Sequence, residues 1–212
     1  QRNRQTAITQ HLSEDQTKTQ RQGFDAVGQR VSATDPAGRT ALYAYDGLGR
    51  LVQTTDALGN KTGQSWDAHD NFTSLTDANG NTHRFEYDKA NQLGKETRPM
   101  GGPIQYVYDQ AGQLTRRTDA GGNTRAYAYN AAGRMTGEEH KLQGTTLDQT
   151  ISYRHDKDGQ LTGYEQNDGS GTLISGATYS KDAQGRTSQS NVAYGKVDGS
   201  GSFSFLIGLS FN

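Results

Sequence analysis

A fixed step of 21 residues restricts the fold of this chain more than any other feature. An Asp at the end of an aromatic, any, aromatic run recurs at Asp25, Asp46, Asp67, Asp88 and Asp109, with Asn130 in the sixth copy, each 21 residues after the last. Two further copies, at Asp156 and Asp182, each follow 26 residues on. A step this regular marks a repeat architecture, in which one small unit is stacked many times and contacts only its neighbours. The most complete unit is Tyr106 to Asn123, YVYDQAGQLTRRTDAGGN: an aromatic pair around one free residue, Asp, two variable residues, Gly, a polar and an apolar residue, then Thr and a second Asp-x-x-Gly.

Counting from the Asp as zero, position +3 reads Gly28, Gly49, Asp70, Asn91, Gly112, Gly133, Gly159 and Gly185. Only Gly, Asn and Asp occur there, the residues that best tolerate positive φ. Asp, two free residues and a left-handed residue suit a type I turn closed by a bulge, a three-residue hairpin loop. Closing residues at zero and +4 place −1 opposite +5. The predicted pairs are Tyr45–Leu51, Trp66–Phe72, Tyr87–Leu93, Tyr108–Leu114 and Tyr129–Met135, aromatic against apolar in every case. The first copy breaks this rule with Phe24 opposite Arg30.

A second turn follows ten residues after each Asp, at Asp35, Asp56, Asp77, Arg98 and Asp119, ending in Gly38, Gly59, Gly80, Gly101 and Gly122 and preceded each time by Thr. Each 21-residue unit is therefore two short strands and two tight turns. No stretch carries a long 3.6-residue period, so almost no helix is expected. Parity leaves two readings open. If both turns were three-residue loops, the Tyr and Leu rows would fall on opposite faces, because side chains alternate strictly. Either the second turn is a tighter two-residue one, the favoured reading, or a bulge sits in the following strand.

The chain has 212 residues, enough for one large domain or two small ones. A net charge of −1 gives no pull towards nucleic acid or an anionic membrane. Without cysteine there is no disulfide, thiolate metal site or thiol nucleophile. No apolar run approaches the roughly 20 residues of a membrane helix. The chain starts at Gln1 with no signal peptide and reads as a fragment of something longer. Only 30% of residues are hydrophobic and the mean hydropathy is −0.94, which alone would suggest disorder. Eleven Tyr oppose that reading. Each aromatic ring buries about 150–250 Å², and stacked repeats could share a thin aromatic layer in place of a thick core.

Three regions are expected. Residues 1–21 are a polar lead-in or degenerate repeat. Residues 22–190 are repeats, strict to about 136 and looser over 137–190, where longer loops or hairpins are inserted. Tyr153 and Tyr179 keep position −3 there while His155 and Lys181 replace the −1 aromatic, so a looser layer is expected. Residues 191–212 are a flexible linker, Asp198–Ser202, and a terminal strand signalled by the alternation Phe203, Phe205, Ile207, Leu209, Phe211.

The runs YAYDGLGRLVQTTDALGN (Tyr43–Asn60) and YVYDQAGQLTRRTDAGGN resemble the YD repeat, also called the RHS repeat, over roughly residues 22–190. In that family hairpins stack into a long curved β-strip that spirals into a hollow shell. Members include bacterial polymorphic toxins delivered by secretion systems, C components of insecticidal toxin complexes, and animal teneurins. The resemblance implies an all-β antiparallel strip, a segment of a spiral shell, in a bacterial protein that is secreted or delivered to a cell surface. It also implies an enclosed or fused toxin domain as partner. About eight repeats are far fewer than a closed shell needs. The family's DPxG-type ending appears only as Asp35-Pro36-Ala37-Gly38 inside an ordinary repeat, so autoproteolysis is not carried over.

No residue pattern points to catalysis, a cofactor or a metal. The spaced carboxylates read as turn formers. Asp156-Lys157-Asp158-Gly159 starts like a calcium loop but lacks the later ligands. The five His show no ligand spacing, and Glu138-Glu139-His140 reads as a solvated loop. The row Tyr43, Tyr45, Trp66, Tyr87, Tyr106, Tyr108, Tyr127 and Tyr129 is the one candidate surface, as wall lining or as a ligand platform. The expected function is a non-catalytic structural scaffold that encloses or carries a toxin domain. The alternative is a carbohydrate or cell-surface receptor module using exposed Tyr rows. The exposure of Tyr43, Tyr106 and Tyr127 separates the two. An enzyme with its site in an irregular 137–177 region is the third and weakest reading. An open strip has two bare edges, which leaves edge-to-edge pairing into a dimer open.

Overall fold

The computed structural model describes residues 7–13, 16–182, 184–194 and 207–210. The chain is all-β, with no helix among the described residues. It forms two compact units, Gln1–Gly101 and Gly102–Asn212. The first holds β1 (Ala7–Ser13), β2 (Gln16–Phe24), β3 (Arg30–Thr34), β4 (Thr40–Tyr45), β5 (Leu51–Thr55), β6 (Lys61–Trp66), β7 (Phe72–Thr76), β8 (Thr82–Tyr87) and β9 (Leu93–Thr97). The second holds β10 (Pro103–Tyr108), β11 (Leu114–Thr118), β12 (Thr124–Tyr129), β13 (Met135–Leu142), β14 (Thr146–His155), β15 (Leu161–Asp168), β16 (Leu173–Lys181), β17 (Thr187–Tyr194) and β18 (Ile207–Ser210). Inside each unit every strand pairs antiparallel with the next.

The corners form as the Asp-x-x-Gly chemistry dictates. At Asp46 the Gly49 N–H donates to Asp46 O at 3.0 Å, and the Asp46 N–H donates to Arg50 O at 3.0 Å. The Asp46 Oδ1 accepts the N–H groups of Leu48 and Arg50, each at 3.0 Å. Positive φ appears at all eight +3 positions, including 66° at Asp70 and 61° at Asn91. All five aromatic–apolar pairs are in register, from Tyr45↔Leu51 to Tyr129↔Met135, and so is Phe24↔Arg30.

The second turn corrects the favoured reading of parity. Gly59 N donates to Asp56 O at 3.0 Å and Asp56 N to Asn60 O at 2.9 Å, the same three-residue loop as the first. At Asp35, Asp56, Asp77 and Asp119 the second corner has the chemistry and the hydrogen bonds of the first. Parity is restored by a bulge instead. Tyr45↔Leu51 is followed by Ala44↔Gln53, which leaves Val52 unopposed. The same skip falls at Thr73, Gly94, Thr115 and Thr136. This one extra residue returns each repeat's aromatics to the same face. At Thr115 the bulge hydroxyl donates to Val107 O at 3.1 Å.

The sheet is one layer thick, so no thick core exists. Among the described residues no side chain is fully buried, and Ile104 and Ala177 are the buried hydrophobic residues. One face is half-buried and carries the Tyr and Leu rows. The −2 residues of the other face, Ala44, Ser65, Glu86, Val107 and Ala128, are exposed. A chain that is 30% hydrophobic can cover one face of a single layer, which explains why its low hydropathy does not mean disorder.

The region 137–177 is not irregular. Strands β13 to β16 run for 8 to 10 residues, against 5 or 6 in the strict repeats. Glu138-Glu139-His140 is not a solvated loop but part of β13, with His140 buried. His140, Gly163, Gly176, Ala177 and Ser190 are all buried, because longer ladders cover more of each strand. Residues 1–21 include the β1–β2 hairpin. Of the terminal strand, Ile207 lies opposite Val192 and Leu209 opposite Ser190. Phe203, Phe205, Phe211 and the linker 198–202 lie outside the described residues.

Candidate functional site

The candidate surface is the aromatic face. Tyr43, Tyr45, Trp66 and Tyr87 lie on it in the first unit, and Tyr106, Tyr108, Tyr127 and Tyr129 in the second, all eight half-buried. The −1 rings have a structural task that sequence reasoning missed. Tyr45 donates its hydroxyl to Arg30 O at 3.0 Å, Trp66 its Nε1–H to Leu51 O at 2.9 Å, and Tyr87 its hydroxyl to Phe72 O at 3.0 Å. In the second unit Tyr129 donates to Leu114 O at 2.9 Å. Each acceptor sits at +5 of the preceding repeat, 15 residues back.

The bulge explains the tether. The β5–β6 ladder covers only Gln53–Thr55 against Lys61–Gly63, so Leu51 falls outside it. Its carbonyl faces the next repeat without a ladder partner, and a partly buried carbonyl needs one. The ring of the next repeat spans the gap and supplies an N–H or O–H. The signal was present in the sequence as a polar-headed aromatic at every −1 position of the strict repeats after the first. Only the coordinates show which carbonyl it serves.

The −3 rings pack differently. Tyr43 carries the Arg30 guanidinium 4.6 Å from its ring centre, a cation–π contact. Tyr106 lies opposite Arg117, and Tyr127 opposite Glu138. Trp66, Phe72 and Phe85 form an aromatic run with centroids 5.1 and 5.5 Å apart. Burial, then the nearby Asp67 carboxylate, raises the Tyr87 phenol above its ordinary pKa, and burial does the same for Tyr129. Both therefore stay protonated and keep donating.

Two polar clusters lie on this face. In the first unit Glu96, buried, takes His83 Nε2 at 3.1 Å and Arg98 Nε at 2.7 Å. In the second, Glu138 accepts the Tyr153 hydroxyl at 2.8 Å and pairs with His140 Nε2 at 3.1 Å. Burial, with help from the Glu138 carboxylate, pushes the Tyr153 phenol up to about 12. Burial opposes ionisation of Glu138, but the His140 and Tyr153 hydrogen bonds outweigh it and hold the carboxyl below its ordinary pKa. Every polar group in this second cluster is bonded to another protein group.

The corner carboxylates do not converge on anything. Each is consumed by its own turn, and Asp156 Oδ1 accepts from Asp158 and Gln160 in the supposed calcium loop. Among the described residues no group of His, Asp or Glu is arranged to hold a metal ion. No helix there is long and apolar enough to cross a membrane, which says nothing of a β-barrel.

These features define a class: a single-layer antiparallel sheet of stacked hairpins, cornered by Asp-x-x-Gly and tied by aromatic side chains. The RHS repeat model matches residues 24–61, 66–102 and 108–146, just over half of the chain. The chain belongs to the RHS repeat family. No curated protein matches it. Among solved structures it is similar to TcdB2-TccC3-TEV, at 18% identity and a TM-score of 0.60, over 90% of this chain and 13% of that one. It is also similar to TcdB2-TccC3-Cdc42, at 16% identity and a TM-score of 0.61, over 95% of this chain and 14% of that one. These likenesses concern the fold. The chain spans about one seventh of the length of these two solved chains.

Proposed function

We propose that this chain is a non-catalytic wall segment of an RHS-type β-shell, part of a larger bacterial protein that is secreted or delivered to a cell surface, where it encloses or carries a toxin domain. One observation carries the reading: the recurrent polar residues are spent on holding the chain together. The Asp of each repeat closes its own corner, and the −1 rings tie one repeat to the one before it. Membership of the RHS repeat family and the fold shared with TcdB2-TccC3 support it. The half-buried state of Tyr43, Tyr106 and Tyr127 favours packing over an exposed row for carbohydrate or receptor.

The test is limited proteolysis of the full-length parent protein. The expected result is a second domain that resists protease while the repeat region is intact and is digested once that region is opened. A parent chain with no further domain, or one whose further domain is cut equally fast in both states, contradicts the reading. So does a hydrolytic activity in the purified chain that disappears on changing a single side chain.

A further inference from the structure

The hydrogen bonds around His140 run in one direction across four strands. Gln149 Nε2 lies 2.5 Å from His140 Nδ1. An amide nitrogen only donates, so Nδ1 accepts and the ring proton sits on Nε2. That N–H donates to Glu138 Oε2 at 3.1 Å. Behind Gln149, its Oε1 accepts Gln166 Nε2 at 2.6 Å, and Gln166 Oε1 accepts the Ser175 hydroxyl at 3.0 Å. The relay runs from Ser175 on β16 through Gln166 on β15 and Gln149 on β14 to His140 on β13, with every donor aimed towards Glu138.

We propose that protonation of His140 reverses this relay, which makes it a proton-operated switch within the second unit. A second proton on the ring goes to Nδ1, turning the acceptor into a donor that faces the Gln149 amide nitrogen. Two donors cannot share that site, so the Gln149 amide turns over and offers Oε1. Its nitrogen then faces the Gln166 nitrogen, which forces the second amide over. The Gln166 nitrogen finally meets Ser175, whose hydroxyl changes from donor to acceptor. The buried position of His140 leaves these partners as the ring's route to satisfaction.

The charged and titratable groups facing His140 are few. Glu138 shares its strand and face, Arg125 on β12 lies opposite it, and Tyr127 on β12 lies opposite Glu138. Tyr153 on β14 bonds Glu138, and Asp168 on β15 lies opposite Gln149. Glu138 accepts from the ring in either protonation state, so it anchors the relay and the Gln149 side moves. His83 in the first unit is the contrast. It too bonds a buried glutamate, but its ring lies 4.3 Å from Phe85.

The test uses the 212-residue chain with glutamine side chains labelled with nitrogen-15, followed by NMR as the pH is lowered from about 8 to 5. The side-chain amide signals of Gln149 and Gln166 are expected to shift together, with the midpoint of the His140 ring. In His140→Asn, which keeps an acceptor near the Nδ1 position but cannot titrate, both signals stay still. In Gln149→Met, which cuts the relay next to the ring, the Gln166 signal stays still. Backbone amides of the strict repeats report that each variant is folded. A Gln166 signal that ignores the His140 titration overturns the proposal. So does one that moves equally in His140→Asn, or a ring that takes up no proton in this range.

Discussion

The strict repeats and the longer-stranded copies hold one sheet together by different means. In the strict repeats, strands of 5 or 6 residues leave a carbonyl outside the ladder at each bulge, and a ring from the next repeat reaches back for it. From β13 to β16, strands of 8 to 10 residues cover their own backbone with longer ladders. There the −1 ring is replaced by His155 and Lys181, and the polar relay around His140 links the strands through side chains. Tyr153 shows the change of role: its hydroxyl reaches 15 residues back, as the −1 rings do, but meets the Glu138 carboxylate and not a carbonyl. A repeat protein can therefore keep its corners and exchange what lies between them.

Two glycine substitutions sharpen the contrast most. In the long strands, a Cβ on Gly163 would sit 2.5 Å from the Ala177 carbonyl oxygen, so Gly163→Ala must push backbone apart, at a cost of about 1–3 kcal/mol in urea unfolding. In the strict repeats, Gly59 has φ +86° and open space around it, so Gly59→Ala pays only for the left-handed backbone, about 1–2 kcal/mol. A Gly163→Ala chain as stable as the parent would show that the long-stranded sheet is slack.

Tyr153→Phe comes next. It takes one donor from Glu138, at an expected cost of about 1 kcal/mol or somewhat more for a bond to a charged group. It also removes an alkaline effect. A phenol raised in the folded state makes no difference below about pH 10, where both states are protonated. It disfavours the fold as pH rises through its folded value of about 12. The ultraviolet titration of the parent should show a late-ionising tyrosine that the variant lacks.

Thr115→Val tests the bulge, whose hydroxyl serves the Val107 carbonyl, and should cost about 0.5–1 kcal/mol. The smallest effect is at the corners. The Asp119 carboxyl is held below its ordinary pKa by the Asn123 side chain and then by the Asn123 N–H. Asp46 is held low by the Arg50 N–H and then its guanidinium. Such lowered groups stabilise the fold above the unfolded Asp value of about 4, and that contribution is lost as pH falls through the lower folded value. Asn130 makes the same turn without a charge, accepting from Ala132 at 3.0 Å and Arg134 at 3.1 Å. Asp119→Asn should therefore fold at neutral pH with slightly less stability than the parent, and urea unfolding should show the difference vanish as pH falls through the folded Asp119 value.

Where one residue type has one local task, the sequence was readable. The +3 glycines, the Asp corners and the pairs Tyr45↔Leu51 through Tyr129↔Met135 are local geometry and emerge from spacing alone. The bulge was harder. It leaves no signature residue, since Val52, Thr73 and Gly94 all occupy it, and only the parity of the two faces hinted at it. The His140 cluster was unreadable because its members, Glu138, Gln149, Tyr153, Gln166 and Ser175, meet through registers set by inserted residues outside the 21-residue step. The eight aromatics named from the sequence share one half-buried face, yet the tethering role of Tyr45, Trp66, Tyr87 and Tyr129 depended on which carbonyls the bulge leaves bare.

The central claim is that these rings hold the wall together and are not held out to a ligand. Its most direct test is urea unfolding of the triple variant Tyr45→Phe, Tyr87→Phe, Tyr129→Phe. The three sites lie in different repeats, so losses of about 1 kcal/mol each should add to roughly 3 kcal/mol. Stability equal to that of the parent would contradict the account and return the tyrosine row to the ligand platform.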